Sequence, residues 1–103
     1  MAGDELTQAD LIAYLREHRE HLRRKYHVHR VAVIGSFARN EQHSGSDVDL
    51  LVDLESGTPD IHRLKRELRA ELEGTFSRRV EIASERYLKP YYRDQILREA
   101  VYV

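Results

Sequence analysis

The sequence predicts an α/β (α+β) fold in which helices pack on a small mixed β-sheet. Short β-branched, apolar runs alternate with segments whose apolar residues recur at helical spacing. The resulting order, α-β-α-β-α-β-α, is typical of a layered α/β domain. The length of 103 residues suits one hydrophobic core. We therefore expect residues 1–103 to form a single domain.

The first predicted helix spans about residues 7–26. Thr7 followed by Asp10 is a variant of the capping box that begins many helices. Apolar residues and one histidine then follow along one helical face, namely Leu11, Leu15, His18 and Leu22.

Two strands joined by a polar loop are predicted next. "RVAVIG" (30–35) reads as a buried strand, "SFARNE" as one or two helical turns that begin at Ser36, and "QHSGS" as a turn. The second strand covers about 46–54 and should run antiparallel to the first, because the connection is too short for a crossover helix. Its residues alternate between Val48, Leu50, Val52 and Leu54 on one face and Asp47, Asp49, Leu51 and Asp53 on the other.

The last part of the chain predicts two helices around a third strand. Asp60 is the expected cap of a helix that ends near Gly74, with apolar spacing at Ile61, Leu64, Leu68 and Leu72. "RRVEIAS" (78–84) predicts a strand that buries Val80 and Ile82 and turns Glu81 to the opposite face. Pro90 opens a final helix that continues to about Arg98.

Composition limits the classes of protein to consider. The chain is 41% hydrophobic and 34% charged with a net charge of −1, which indicates a folded, soluble protein. No apolar run approaches the length of a membrane helix, so we expect no membrane association. The absence of cysteine excludes disulfides and thiolate ligands and fits a reducing cytoplasm, where we expect the protein to be located.

The charges are distributed unevenly. Residues 40–62 contain no Lys or Arg but include Glu41, Asp47, Asp49, Asp53, Glu55 and Asp60. The basic run at residues 23–25 raises the alternative of RNA binding, but a solvated helix end that complements the helix dipole explains it with fewer assumptions. We therefore do not expect direct nucleic-acid binding.

Residue types in the centre of the chain predict phosphate and metal chemistry. Asp47 and Asp49 lie on one strand face, roughly 6.6 Å apart. Carboxylates so placed can converge on hard cations, and two such ions can clamp the attacking and leaving oxygens of a displacement at phosphorus. Glu81 would supply a third carboxylate from the next strand. Upstream, the turn at Gly35 and Ser36 leaves backbone N–H groups free to contact an anion.

These two segments together resemble a known family. "GSFAR" and "SDVDLLVDL", with ten residues between Gly-Ser and Asp-x-Asp, resemble the polymerase-beta-type nucleotidyltransferase superfamily. Within it, the chain is most similar to the minimal nucleotidyltransferase (MNT) domain, the antitoxin partner of HEPN ribonuclease toxins. The resemblance covers nearly the whole chain, including the closing "ILREAVYV", and implies a polymerase-beta-like core.

The resemblance implies a role for each matching residue. Those implied to bind the nucleotide are Gly35, Ser36 and Arg39. Those implied to be catalytic and to hold two magnesium ions are Asp47, Asp49 and Glu81. Two positions depart from the family pattern: glutamate stands at 81, where the family often has aspartate, and Asn40 stands where glycine is expected. Asparagine tolerates the left-handed conformation better than most residues.

The implied activity is transfer of AMP from ATP to a tyrosine hydroxyl of a partner HEPN toxin. Two alternatives stay open. In the first, the protein neutralises its partner by stoichiometric binding, with an inactive nucleotide site; the glutamate at 81 favours this reading. In the second, it transfers a nucleotide to a small molecule, which the short chain disfavours.

Overall fold

A computed structural model of the chain describes residues 6–103. The helices of this part are α1 (Gln8–Glu17), α2 (Arg19–Tyr26), α3 (Gly35–Ala38), α4 (Ile61–Phe76) and α5 (Pro90–Glu99). The strands are β1 (Val28–Ile34), β2 (Val48–Leu54), β3 (Val80–Ala83) and β4 (Val101–Tyr102), and a 3₁₀ turn covers Glu85–Tyr87. None of the helices in this part combines the length and the hydrophobicity needed to cross a membrane.

The strands form one mixed sheet in the order β3-β2-β1-β4. β1 and β2 are antiparallel, as the short connection predicts, whereas β2 and β3 are parallel and are joined through α4. The predicted α/β class with a small mixed sheet is therefore confirmed. β4 lies outside the three predicted strands: it adds two residues antiparallel to the outer side of β1.

The predicted first helix is in fact two helices. The capping box is present, since the Thr7 hydroxyl accepts a hydrogen bond from the Asp10 N–H at 3.0 Å. The helix then breaks at His18, whose backbone N–H and ring Nδ1 both contact the Tyr14 carbonyl, at 3.0 and 2.9 Å. The His18 ring also stacks on the Tyr14 ring, with 3.9 Å between centroids. The prediction of one continuous helix is wrong at His18, whose backbone leaves the helical conformation (φ −103°, ψ 12°).

The two faces of the sheet are covered differently. On one face, α1, α2 and α4 pack on alternate residues of β1 and β2, which include Val33, Leu50 and Val52. On the other face, α5 and Leu88, which follows the 3₁₀ turn, cover Ala32, Ile34 and Leu51. The alternation predicted for β2 is therefore present, with the aspartates on the α5 face.

α4 differs from its prediction at both ends. Asp60 occupies the cap position in a left-handed conformation (φ 56°), but its side chain makes no capping hydrogen bond and instead lies 3.4 Å from Arg63. Ile61 is 39% exposed rather than buried. The helix also continues two residues beyond Gly74, because Phe76 is buried, and it ends at Ser77 with φ 53°.

Candidate active site

The centre of the site is a contact between Gly35 and Asp49. Ile34, the last residue of β1, pairs with Asp49 on β2, so the turn that follows β1 lies beside this carboxylate. Gly35 adopts φ +72°, and a Cβ at this position would lie 2.4 Å from Asp49 Oδ2. Glycine is therefore required at position 35 for two reasons: its backbone is left-handed, and the carboxylate of Asp49 leaves no room for a side chain.

The three predicted carboxylates lie on neighbouring positions of the sheet. Asp49 pairs with Glu81 in the parallel register of β2 and β3, and Asp47 immediately precedes β2. Burial raises the pKa of Asp49, and the charges of Asp47 and Glu81 raise it further, while Arg39 opposes the shift. The carboxylates are thus close enough to repel one another, and a cation placed among them would relieve that repulsion.

The chemistry of this donor set suits a hard cation such as magnesium, which prefers carboxylate oxygens. In residues 6–103, no group of three or more His, Asp or Glu side chains is arranged as a complete metal site. Magnesium commonly takes only one or two carboxylates and completes its shell with water and substrate phosphates. The half-buried aspartate beside Gly35 fits that pattern, whereas Glu81 is 57% exposed and lies 3.9 Å from Arg79.

The predicted turn after β1 is present as the single helical turn α3, which contains Gly35 and Ser36. Its N–H groups are the first of a helix and so have no intrahelical carbonyl to bind. Its far end is fixed by Gln8 of α1, whose side-chain amide donates hydrogen bonds to the carbonyls of Phe37 and Ala38 at 2.7 and 3.0 Å. Sequence reasoning missed Gln8, since nothing in its local sequence points to residues 29 and 30 positions away.

The two residues that follow α3 are Arg39, which is predicted to bind nucleotide, and Asn40, which stands where glycine is expected. Asn40 adopts the left-handed conformation (φ 59°), which confirms the interpretation of asparagine at a glycine position. Arg39, the third residue implied to bind nucleotide, is exposed and paired with Glu41 at 2.9 Å and with Glu99 of α5 at 3.2 Å. The structure thus places Arg39 near the aspartates but holds its guanidinium with other carboxylates.

Arg78 is a second residue that sequence reasoning missed. Its guanidinium donates a hydrogen bond to the Ser46 carbonyl at 2.8 Å, directly before Asp47. It also lies 5.4 Å from the centre of the Phe37 ring, in α3. One side chain therefore connects the α3 turn, the loop that carries Asp47 and the segment that leads to Glu81. The only signal in the sequence is its position, three residues before the third carboxylate.

Comparison with known proteins identifies the family. Residues 15–103 match the nucleotidyltransferase domain family. The chain is 36% identical over 98 residues to protein adenylyltransferase MntA of Thermococcus cleftensis. The aligned region covers 95% of this chain and 97% of the relative. A solved structure described as a "putative minimal nucleotidyltransferase" is 40% identical, with a TM-score of 0.75 over 94% of this chain and 96% of that one.

A more distant solved structure, a toxin–antitoxin complex with AMP-PNP, shares the fold at 20% identity, with a TM-score of 0.63 over 94% of this chain and 72% of that one. The chain belongs to the nucleotidyltransferase domain family. The resemblance to minimal nucleotidyltransferases is thereby confirmed, and with it the expected class of enzyme.

Proposed function

We propose that this chain is a cytoplasmic antitoxin that transfers AMP from ATP to a tyrosine hydroxyl of a partner HEPN ribonuclease toxin and so inactivates it. The observation that carries the proposal is the contact of Gly35 with Asp49, with Asp47 and Glu81 beside it. The relative named as a protein adenylyltransferase supports a protein as the acceptor.

The α3 turn would hold the phosphates of ATP. Gly35 presents backbone without a side chain, and the N–H groups of the turn, Ser36 among them, would donate to phosphate oxygens. Arg39 would exchange its exposed partner Glu41 for a phosphate, since it pairs with that carboxylate only at the surface. Gln8 and Arg78 would keep the turn and the aspartate loop in place.

Asp47, Asp49 and Glu81 would bind magnesium, which when bound neutralises the phosphate charge that develops during transfer. The tyrosine oxygen forms a bond to the α-phosphorus of ATP, the bond from that phosphorus to the bridging oxygen breaks, and pyrophosphate departs with its electron pair. Glu81 would accept the proton of the tyrosine hydroxyl, because it is exposed on the side of Asp49 away from the α3 turn.

Intact-mass measurement tests the proposal. The partner toxin, incubated with this protein, ATP and magnesium, should gain the mass of AMP. The variant Asp47→Asn/Asp49→Asn should reduce the transfer rate at least about a thousandfold. It should unfold at the same or a higher temperature, because the substitutions remove repulsion between neighbouring carboxylates.

The matched control is Asp94→Asn, which changes an exposed aspartate of α5 and should transfer at the wild-type rate. Wild-type transfer by the double variant would contradict the assignment of the aspartates. A toxin that is neutralised without any gain of mass would support the stoichiometric alternative, which the glutamate at position 81 favours.

A further inference from the structure

The face of the sheet that carries Asp49 continues into an open groove of about 940 Å³. Asp49, Leu51 and Asp53 alternate with the core residues of β2, and Asp53 forms part of the groove wall. The other walls come from residues 82–88, which include the 3₁₀ turn, from the first turns of α4, from residues 54–57, from Arg30 of β1 and from the start of α5. One wall of the groove is therefore built from the residues that directly follow Glu81.

This position matches the side from which an acceptor must approach. In the sheet, Asp49 lies between Ile34, which precedes the α3 turn, and Glu81. An in-line displacement places the attacking and leaving oxygens on opposite sides of the phosphorus. With phosphates at the α3 turn, the acceptor hydroxyl arrives from the Glu81 side, and the groove lies farther along the same strand, from residue 82 onward.

The groove contains two cations that lack an anionic partner. Its ion pairs join Arg30 to Asp53 and to Glu85, and join Arg93 to Glu85. Within residues 6–103, no ion pair includes Lys65 or Arg86. The Lys65 amine instead donates to the Ser84 hydroxyl. Burial lowers the pKa of Lys65; Asp53 and Tyr87 oppose this effect, and Arg86 adds to it. Lys65 and Arg86 both line the groove, and the charge of Asp53 reaches Lys65. Neither cation forms an ion pair within residues 6–103, so the two together can still accept an anion.

Apolar surface is exposed in the same groove. Ile61 is 39% and Tyr87 is 73% exposed, and both line it. Exposed aromatic and aliphatic side chains next to cations are typical of protein interfaces, in which tyrosine is enriched. A protein segment that carries one acidic and one apolar side chain complements both features at once.

We propose that this groove binds the acceptor segment of the partner protein, with an acidic side chain of that segment between Lys65 and Arg86. The proposal rests on the proposed function, since it states where the acceptor lies. Asp49 and Asp53 are four residues apart, about 13 Å along the strand, and an extended segment covers that distance in about four residues. The acidic residue of the partner therefore lies about four positions from the acceptor tyrosine.

Binding of two fluorescein-labelled peptides, measured by anisotropy without ATP, tests the groove. One peptide has a pair of glutamates four residues from a single tyrosine, and the other has lysines in place of the glutamates. Wild-type protein should bind the glutamate peptide about tenfold more tightly. Lys65→Glu/Arg86→Glu should reverse this preference, and the milder Lys65→Gln/Arg86→Gln should abolish it.

The matched control is Arg66→Glu/Arg69→Glu, which makes the same change of net charge on an exposed part of α4 and should keep the wild-type preference. Equal affinity of wild-type protein for both peptides, or an unchanged preference in the Lys65 and Arg86 variants, would overturn the proposal. Displacement of the glutamate peptide by ATP would also overturn it, because the groove would then belong to the nucleotide. Selective binding without AMP transfer to the partner would overturn the proposed function and leave the groove assignment standing.

Discussion

The two faces of the sheet differ in what they bury. On the face covered by α1, α2 and α4, seventeen buried residues form one apolar cluster within residues 6–103. On the α5 face, the corresponding cluster has three buried residues, Ala32, Ile34 and Leu51. The candidate site carboxylates lie on this second face, and the charged groove extends from it to the start of α4. The first face therefore supplies most of the stability, and the second tolerates the repulsive charges that nucleotide chemistry requires.

Within the α5 face, the effect of a charge depends on its place. Asp49 is half-buried against Gly35, where a cation and a nucleotide would be held. Glu81, although paired with it in register, is more than half exposed. The two carboxylates thus suit different tasks, one fixed for binding and the other accessible to an incoming hydroxyl.

Replacing Glu81 separates these two tasks. We expect Glu81→Gln to lower the rate of AMP transfer about 100- to 10,000-fold, the range typical of a lost proton acceptor. ATP affinity should stay near the wild-type value, because the α3 turn and the aspartates hold the nucleotide. Glu81→Asp should recover much of the rate, since it restores a carboxylate. Single-turnover transfer and ATP titration measure both quantities.

The control for this experiment is Glu17→Gln, which neutralises an exposed glutamate of α1 and should leave both quantities unchanged. Glu81→Gln with the wild-type transfer rate would mean that Glu81 is a surface residue and that two carboxylates suffice. A parallel loss of ATP affinity and of rate would place Glu81 with the nucleotide instead.

Truncating one apolar residue on each face measures the difference in stability. Phe76 is 1% exposed and packs edge to face with Tyr14, with 5.1 Å between ring centroids. We expect Phe76→Ala to lower the free energy of unfolding by about 3–5 kcal/mol, because it leaves a cavity in a tightly packed cluster. Ile96 of α5 is only partly buried, so Ile96→Ala should cost less than about 2 kcal/mol. Urea denaturation of the two variants gives both values, and equal costs would contradict the assignment of stability to one face.

The parts of the fold that follow local rules were predictable from the sequence. Alternation in β2 and the antiparallel connection both depend on short-range periodicity and chain length. The break at His18 was not predictable, because the helical spacing of the apolar residues continues across it. The extension of α4 to Phe76 continues the four-residue spacing of its buried leucines, and the prediction missed it because glycine commonly ends a helix and Gly74 does not do so here.

The same distinction applies to the candidate site. The order and spacing of Gly35, Asp47, Asp49 and Glu81 suggested a shared location, which the strand register now provides. The contributions of Gln8 and Arg78 arise from hydrogen bonds to backbone carbonyls, and such bonds place no constraint on the partner's residue type. The groove likewise brings together residues from β1, the end of β2, α4, the segment 82–88 and α5, so the sequence gives no indication of it.

The smallest expected effect concerns Glu71, a charged residue of α4 at the edge of the larger cluster. Glu71 accepts hydrogen bonds from the buried Tyr26 at 2.6 Å and from Lys25 at 3.2 Å, and it contacts the His21 ring at 2.8 Å. Burial alone raises the pKa of Glu71, but these hydrogen bonds outweigh it and hold the pKa below the ordinary value of 4.5. A lowered pKa means that the folded state binds the proton less tightly than the unfolded state does. The stability that Glu71 contributes is therefore fully present above about pH 4.5 and is lost as the pH falls through its pKa in the folded state.

We expect Glu71→Gln to lower the free energy of unfolding by about 1–2 kcal/mol at pH 7, with the difference from wild type closing as the pH falls below 4.5. Urea denaturation from pH 3 to pH 7 measures that gap, and Glu67→Gln, an exposed position on the same helix, should stay within about 0.5 kcal/mol of wild type throughout. A gap that is constant with pH would show that Glu71 acts through packing and not through its charge.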